Sequence, residues 1–327
     1  MADGDPRVAV VMLTHNRREE VLVSLDQLTR LPERPRIVVV DNASSDGTAQ
    51  AVVRRFPQVE VLPAGGNLGA TARNLGVRRV EAPYVAHCDD DTWWEPGALA
   101  HAADLFDAHP RLAVATARIL VGPENKEDPI CAELERSPLP SEPDMPGPSL
   151  LGFMAGASVV RRSAFLSAGG FEPRFFIGGE EELLAIDLVA AGWWLCYVPR
   201  LVVHHHPSER RDASARRWYL LRNALWSAWL RRALPSALRK SGQLLAAAPW
   251  TRETWRGVTA ALAGLPWILR ERRPMPAAVE GYFRLLEQPR RKTILFDTAN
   301  ACSSIKTSRA TACRAARSAS PTTTAPV

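Results

Sequence analysis

Asp89, Asp90 and Asp91 follow one another directly after the apolar run Tyr84–Cys88, which reads as a buried strand. Adjacent carboxylates repel, and each resists leaving water unless something offsets its charge. A divalent cation does that. Hard oxygen ligands suit Mg²⁺ or Mn²⁺, ions that commonly bridge carboxylates to substrate phosphates. The alternative is a solvated acidic turn ahead of the helix start at Glu95-Pro96. Asp41 also closes an apolar run, Ile37–Val40, where a carboxylate can accept an N–H or simply turn the following loop. Three histidines, His204-His205-His206, close a third apolar run, and imidazole serves Mn²⁺ better than Mg²⁺.

These residues need a frame that brings strand ends together, and the hydrophobic pattern provides one. Val8–Leu13 is a near-continuous apolar run, as expected of a parallel strand covered on both faces. Further strands are expected at Ile37–Val40, Val59–Leu62, Tyr84–Cys88, Leu112–Thr116, Val159–Val160, Trp194–Val198 and Leu201–Val203. Helical spacing fills Arg17–Arg30, Ala70–Arg79, Pro96–Ala108 and Glu181–Ala191, and Ser45-Asp46-Gly47-Thr48 opens a further helix reaching about Arg55. Alternating strands and helices predict a parallel α/β sheet, whose ligands sit at the carboxyl ends of the strands. Thr14, Asp41 and the Asp89–Asp91 triplet all fall at such ends. The stretch Val121–Ser149 holds seven prolines and reads as one long loop. Beyond Ser214 the pattern is helical: Ala215–Arg232, Ser236–Ala247, Thr251–Leu269 and Ala277–Leu286.

The 327 residues carry a net charge of +6. From Arg290 onward there are seven basic residues and one acidic residue, so 1–289 is balanced, with 34 of each sign. The basic pI therefore belongs to the tail, and no specific nucleic-acid partner is expected. That tail, 289–327, lacks hydrophobic period and is expected to be disordered. Five cysteines without paired spacing argue for a reducing compartment. Neither a secretory signal nor a run long enough for a membrane span is visible. The expected location is cytoplasmic, with a peripheral position at the inner face of the membrane as an option.

Six segments in order make the chain resemble a family-2 glycosyltransferase, of the bacterial rhamnosyltransferase-like kind. They are Val10–Arg17, Val40–Thr48, Gly66–Gly76, Asp89–Asp91, Gly169–Phe176 and Gly179–Glu182. The resemblance implies the GT-A nucleotide-sugar-binding fold, a mostly parallel, Rossmann-like sheet over about 1–210, with a donor half near 7–120 and an acceptor half near 121–210. A helical C-terminal region, 211–288, would follow it. The resemblance also implies that Asp41 contacts a uracil or thymine ring, with Thr14 and Asn16 at the edge of that pocket. Arg73 would face the nucleotide. Asp91 would hold the cation, Mg²⁺ or Mn²⁺, while Asp89 and Asp90 hold ribose or the metal's water shell. Members of the family usually carry Glu-Asp after the glycine, and the second carboxylate is the base. Here that position is Glu181, with Glu180 and Glu182 as neighbours able to replace it. His205 would complete the metal site, and Arg222 would reach the donor diphosphate or an acceptor phosphate. Trp226 and Trp229, on the same stretch as Arg222, would either pack on the body or lie against lipid headgroups.

The expected function is therefore inverting, metal-dependent transfer of a sugar from a UDP- or dTDP-sugar to an acceptor hydroxyl, in the synthesis of a cell-surface glycan. The acceptor could be a glycan, a lipid-linked sugar or a small molecule, with peripheral membrane contact as an option. Two other readings remain: a GT-A module that binds nucleotide without catalysis, and a metal-dependent hydrolase built on the aspartates and histidines.

Overall fold

A computed structural model describes residues 5–208 and 217–288, all within one compact unit. The expected disordered tail, 289–327, and the short stretch 209–216 lie outside the described residues. The first strands are β1 (Val8–Thr14), β2 (Arg36–Asp41), β3 (Glu60–Pro63) and β4 (Tyr84–Asp89). They pair in parallel in the order β3-β2-β1-β4. The register sets Thr14 opposite Asp41 and Leu13 opposite Asp89. Three polar chain ends thus share one edge, because each strand stays apolar until it emerges from the core.

Helices α1 (Arg18–Leu28), α2 (Thr48–Arg55) and α3 (Arg73–Arg79) connect these strands. A 3-10 turn at Gly69–Ala72 leads into α3. Gly76 lets α3 lie close on the sheet, since a Cβ there would run into the side chains of Val11 and Val40. Next come β5 (Thr92–Trp94), α4 (Ala98–Ala108) and β6 (Leu112–Val121). The expected structureless loop Val121–Ser149 instead contains β7 (Lys126–Glu127) and α5 (Pro129–Glu135). Asp128 caps α5 by accepting from Ile130 N, and Cys131 and Leu134 bury its inner face. Pro129 at the first turn of a helix breaks nothing, which is why counting prolines misled.

The second half of the sheet is mixed. It adds β8 (Ser158–Arg161) and β9 (Trp194–His205), with α6 (Arg162–Ser167) and α7 (Glu180–Ala190) between them. β8 runs antiparallel between β4 and β6, β9 runs parallel to β6, and β5 pairs antiparallel with β9. The mostly parallel sheet expected from the pattern is therefore wholly parallel over β1–β4 and mixed beyond, where β6 and β9 form a further parallel pair. β9 merges two expected strands, because a register shift opposite Ala117/Arg118 absorbs Pro199, Arg200 and Leu201.

The helical region consists of α8 (Arg217–Arg231), α9 (Leu234–Ala247), α10 (Arg252–Ala263), α11 (Leu265–Glu271) and α12 (Ala277–Glu287). The single helix expected over Thr251–Leu269 is split at Gly264, next to Pro266, whose ring cannot donate to the ladder. Trp226 is buried with Phe175, Leu183 and Leu230 in a core between α7 and the C-terminal helices. Trp229 packs on that core and donates its Nε1–H to Ser241. Of the two placements expected for these tryptophans, packing on the body is the one observed. Cys88, Cys131 and Cys196 are buried free thiols.

Candidate active site

The three aspartates have separate fates. Asp89, half exposed, is ion-paired with the buried guanidinium of Arg73. Asp90 accepts from Thr14 Oγ at 3.1 Å. Burial, and then the charges of Asp91 and Asp89, push its pKa up to about 7. Asp91 is buried, and its Oδ2 accepts from Ser208 N at 3.3 Å. Its Oδ1 lies 3.7 Å from His205 Nε2.

Strand alternation sorts the histidines. β5 pairs Thr92 with His205 and Trp93 with His204. The rings of His204 and His206 both lie on Trp93, at 5.6 and 4.5 Å between centroids. His204 is further held by Glu95 Oε2 at 2.6 Å and Asn125 Oδ1 at 2.9 Å. His205, pointing the other way, is the one brought to Asp91.

At the end of β2, Asp41 is buried and accepts from Ser44 N through Oδ2 at 3.3 Å. Its Oδ1 is buried and has no hydrogen-bond partner among the described residues. Such an acceptor is costly unless a ligand donates to it. Asn16, at φ 52°, ties the facing loops: its N donates to Ser44 Oγ at 2.9 Å, and its Oδ1 accepts from Ser45 N at 2.7 Å. Asn42 holds the Gly66–Gly76 segment, accepting from Leu68 N at 2.7 Å and donating to Gly69 O at 3.0 Å.

The acidic run at the start of α7 also divides. Glu181 Oε1 accepts from Ala155 N at 2.7 Å. Burial raises its pKa, against the Ala155 N–H and the charge of Arg73, which act to lower it. Burial and the charge of Glu181 push Glu180 up to about 8. Glu182 is raised by burial too, but its charged neighbours are Lys240, Arg232 and Glu287, on the side of the C-terminal helices. Glu180 and Glu181 thus feel the charge of Arg73, whereas Glu182 feels those of the C-terminal helices.

Two features of this site were missed in the sequence. The 3-10 turn Ala155–Ala157 joins the two acidic groups: Ala155 binds Glu181, and Gly156 lies under the Asp89 carboxylate. The run of small residues Ala155-Gly156-Ala157-Ser158 was the available signal. The second is the loop before α7. Phe176 stands at φ 64°, ψ −63°, and Ile177 N donates to Phe175 O at 2.7 Å, which makes the rarer and more strained γ-turn. Phe176 O accepts from Ala70 N at 2.7 Å, which ties this loop to the start of α3. Arg222, expected at a phosphate, is instead buried and donates to Arg174 O and Phe175 O at 2.9 and 2.8 Å. Asn223 donates to Phe175 O, Ile177 O and Gly178 O. Burial lowers the Arg222 pKa to about 10. The described structure does not bring Arg222 to the aspartates.

With this geometry in hand, similarity to known proteins becomes decisive. The family model described as Glycosyl transferase family 2 matches residues 9–167. N-acetylglucosaminyl-diphospho-decaprenol L-rhamnosyltransferase from Mycobacterium tuberculosis is 31% identical over 283 residues, covering 74% of this chain and 91% of that protein. The chain belongs to glycosyl transferase family 2. As a family-2 glycosyltransferase it is also 30% identical over 193 residues to the pre-mycofactocin glycosyltransferase of the same organism, covering 56% of this chain and 40% of that one. Two solved structures share the GT-A fold. One is the mannosyltransferase PcManGT from Pyrobaculum calidifontis in complex with GDP-Man and Mn²⁺ (TM-score 0.51, 18% identity, 95% of this chain and 82% of that chain). The other is GalNAc-T7 with UDP, GalNAc and Mn²⁺ (TM-score 0.54, 14% identity, 81% of this chain and 56% of that chain).

Among the described residues no three His, Cys, Asp or Glu side chains gather around one point. Asp91 and His205 offer one oxygen and one nitrogen donor to the same space. Two protein ligands, with phosphate oxygens and water supplying the others, suit a cation that arrives with a diphosphate rather than one caged by protein alone.

Proposed function

We propose that this glycosyltransferase takes its sugar from a UDP- or dTDP-sugar and passes it, with inversion, to a hydroxyl of a lipid-linked glycan acceptor. The observation that carries the donor reading is the unpartnered buried Oδ1 of Asp41 at the end of β2. Uracil and thymine each present a ring N–H that such an oxygen can accept. Thr14, opposite Asp41, and Asn16, tied to Ser44, edge the same pocket, and Asp89 at the end of β4 holds Arg73. The acceptor class is suggested by the rhamnosyltransferase relative, whose name specifies a polyprenyl-diphosphate sugar.

Asp91 and His205 would hold Mg²⁺ or Mn²⁺, which when bound offsets the charge of the departing diphosphate. Glu181 takes the proton of the acceptor hydroxyl as that oxygen attacks the anomeric carbon. The bond from that carbon to the diphosphate breaks in the same displacement, so the configuration inverts. Glu180 shares the buried acidic environment and helps keep one proton on the pair near neutral pH. The hydrolase alternative needs several histidines beside the aspartates, and His204 and His206 are held on Trp93 instead.

A panel of nucleotide sugars, scored by protection against thermal unfolding with and without Mn²⁺, tests this reading. Protection by UDP- or dTDP-sugars that depends on the cation, and is lost in Asp41→Ala and Asp91→Asn, is the expected result. Protection by purine nucleotide sugars alone would overturn it. Binding without transfer to any polyprenyl-diphosphate sugar would favour a non-catalytic module.

A further inference from the structure

The balanced charge of the body conceals a separation. Residues 1–208 hold 19 basic and 28 acidic residues, whereas 217–288 hold 12 basic and 4 acidic. The helical region is therefore strongly basic in its own right, apart from the tail.

That region also exposes large apolar side chains. α10 buries Thr254, Gly257 and Ala261, and Gly257 packs against the Trp218 carbonyl of α8. The opposite face presents Trp255 and Leu262, two helical turns apart, at 57% and 58% exposure. Trp250, 64% exposed, meets Trp255 at 5.3 Å between ring centroids, so the apolar surface continues around the corner into α10. Arg252, one turn before Trp255, lies on the same face, Arg256 lies over the Trp218 ring at 4.2 Å, and Glu253 is the sole acidic residue of this helix. Paired exposed tryptophans with leucine and arginine are unfavourable in water but match a headgroup boundary, where the ring lies in the interface and the guanidinium meets phosphate. Among the described residues no helix is long and apolar enough to cross a membrane, so the contact would be peripheral.

We propose that the Trp250–Leu262 face of α10 docks on the anionic surface of a lipid bilayer. The proposal deepens the lipid-linked acceptor reading and rests on it for its purpose. α10 packs on α8, and α8 holds the loop that leads into Glu180 and Glu181. Docking through α10 would thus anchor the acceptor side of the enzyme at the membrane where its substrate resides.

The test is flotation of the full chain with vesicles of phosphatidylcholine alone or mixed with phosphatidylglycerol, at low salt and at about 0.5 M salt, where surface charges are screened over a few Å. The parent should bind anionic vesicles at least tenfold better than neutral ones. Part of that binding should survive high salt, and brominated lipids should quench its tryptophan fluorescence. The triple variant Trp250→Ser, Trp255→Ser, Leu262→Ser should lose the quenching and the salt-resistant binding while keeping the parent's thermal midpoint. Equal binding by parent and variant would assign the effect to the basic tail and overturn the proposal. So would unquenched parent fluorescence, retention on DNA equal to that on vesicles, or a concentration-dependent dimer that buries these tryptophans. Donor protection measured on the same samples separates the two readings: a parent chain that is protected by donor but binds no anionic vesicle sinks the docking face alone.

Discussion

Gly156 lies against the carboxylate of Asp89, so that a Cβ at this position would stand 2.7 Å from Oδ2 and 3.0 Å from Oδ1. The absence of a side chain is what allows Asp89 to reach Arg73 while staying beside the turn that binds Glu181. Gly156→Ala should push the carboxylate aside and loosen the Arg73 pair. The expected outcome is at least a tenfold loss of donor affinity with little change in thermal midpoint, because Gly156 does not occupy a positive φ. Titration of donor against the variant checks this; unchanged affinity would mean that Asp89 has room to move.

Removal of a general base lowers turnover about 10²-fold or more. Glu181→Gln should show that loss while binding donor like the parent. Glu182→Gln should leave turnover within about threefold, since its charged neighbours lie among the C-terminal helices. Because burial raises the Glu181 pKa, the rate should rise with pH through a value above that of an ordinary glutamate. A profile set by Glu182 instead would reassign the base.

Asn223→Ala removes the donor to three carbonyls of the Phe175–Gly178 turn. Leaving buried carbonyls unsatisfied costs about 1–3 kcal/mol. We expect a lower thermal midpoint and a larger fall in kcat than in donor affinity, because the turn leads into the Glu180–Glu181 helix. A fall in donor affinity alone would place this pair at the nucleotide.

His87 is fully buried among Phe165 and Phe171, and neither ring nitrogen has a hydrogen-bond partner among the described residues. Burial, followed by the charge of Arg73, pushes its pKa down to about 3. The unfolded chain takes up a proton near pH 6.5 that the folded state refuses, so this residue's contribution to stability falls as pH drops from about 6.5 toward 3. His87→Leu should remove that dependence and stabilise the protein by more at pH 5 than at pH 8, with a difference of about 2 kcal/mol. Urea unfolding at the two pH values measures it; a parallel shift at both would show that His87 does not carry the acid sensitivity.

The cluster at the strand ends was legible because it depends on local patterns. Asp41 and Asp89 follow apolar runs that can only be buried strands, and parallel pairing then brings strand ends to one edge whatever else the fold does. The resemblance picked Glu181 from the acidic run after Gly179 and His205 from the histidines after Val203, but their surroundings were not legible. The charged neighbours of Glu182 depend on how α7 meets the C-terminal helices, and the approach of His205 to Asp91 depends on the pairing of β5 with β9. The surroundings of Arg222 depend on tertiary structure in the same way. An arginine followed by asparagine reads as a polar pair ready for phosphate, and only the approach of the Phe175–Gly178 turn, 45 residues or more away in sequence, provides the carbonyls that take up its donors. Gly156 and the strained Phe176 were silent in the sequence, because a close approach or a positive φ is a property of what lies opposite, which tertiary packing alone decides.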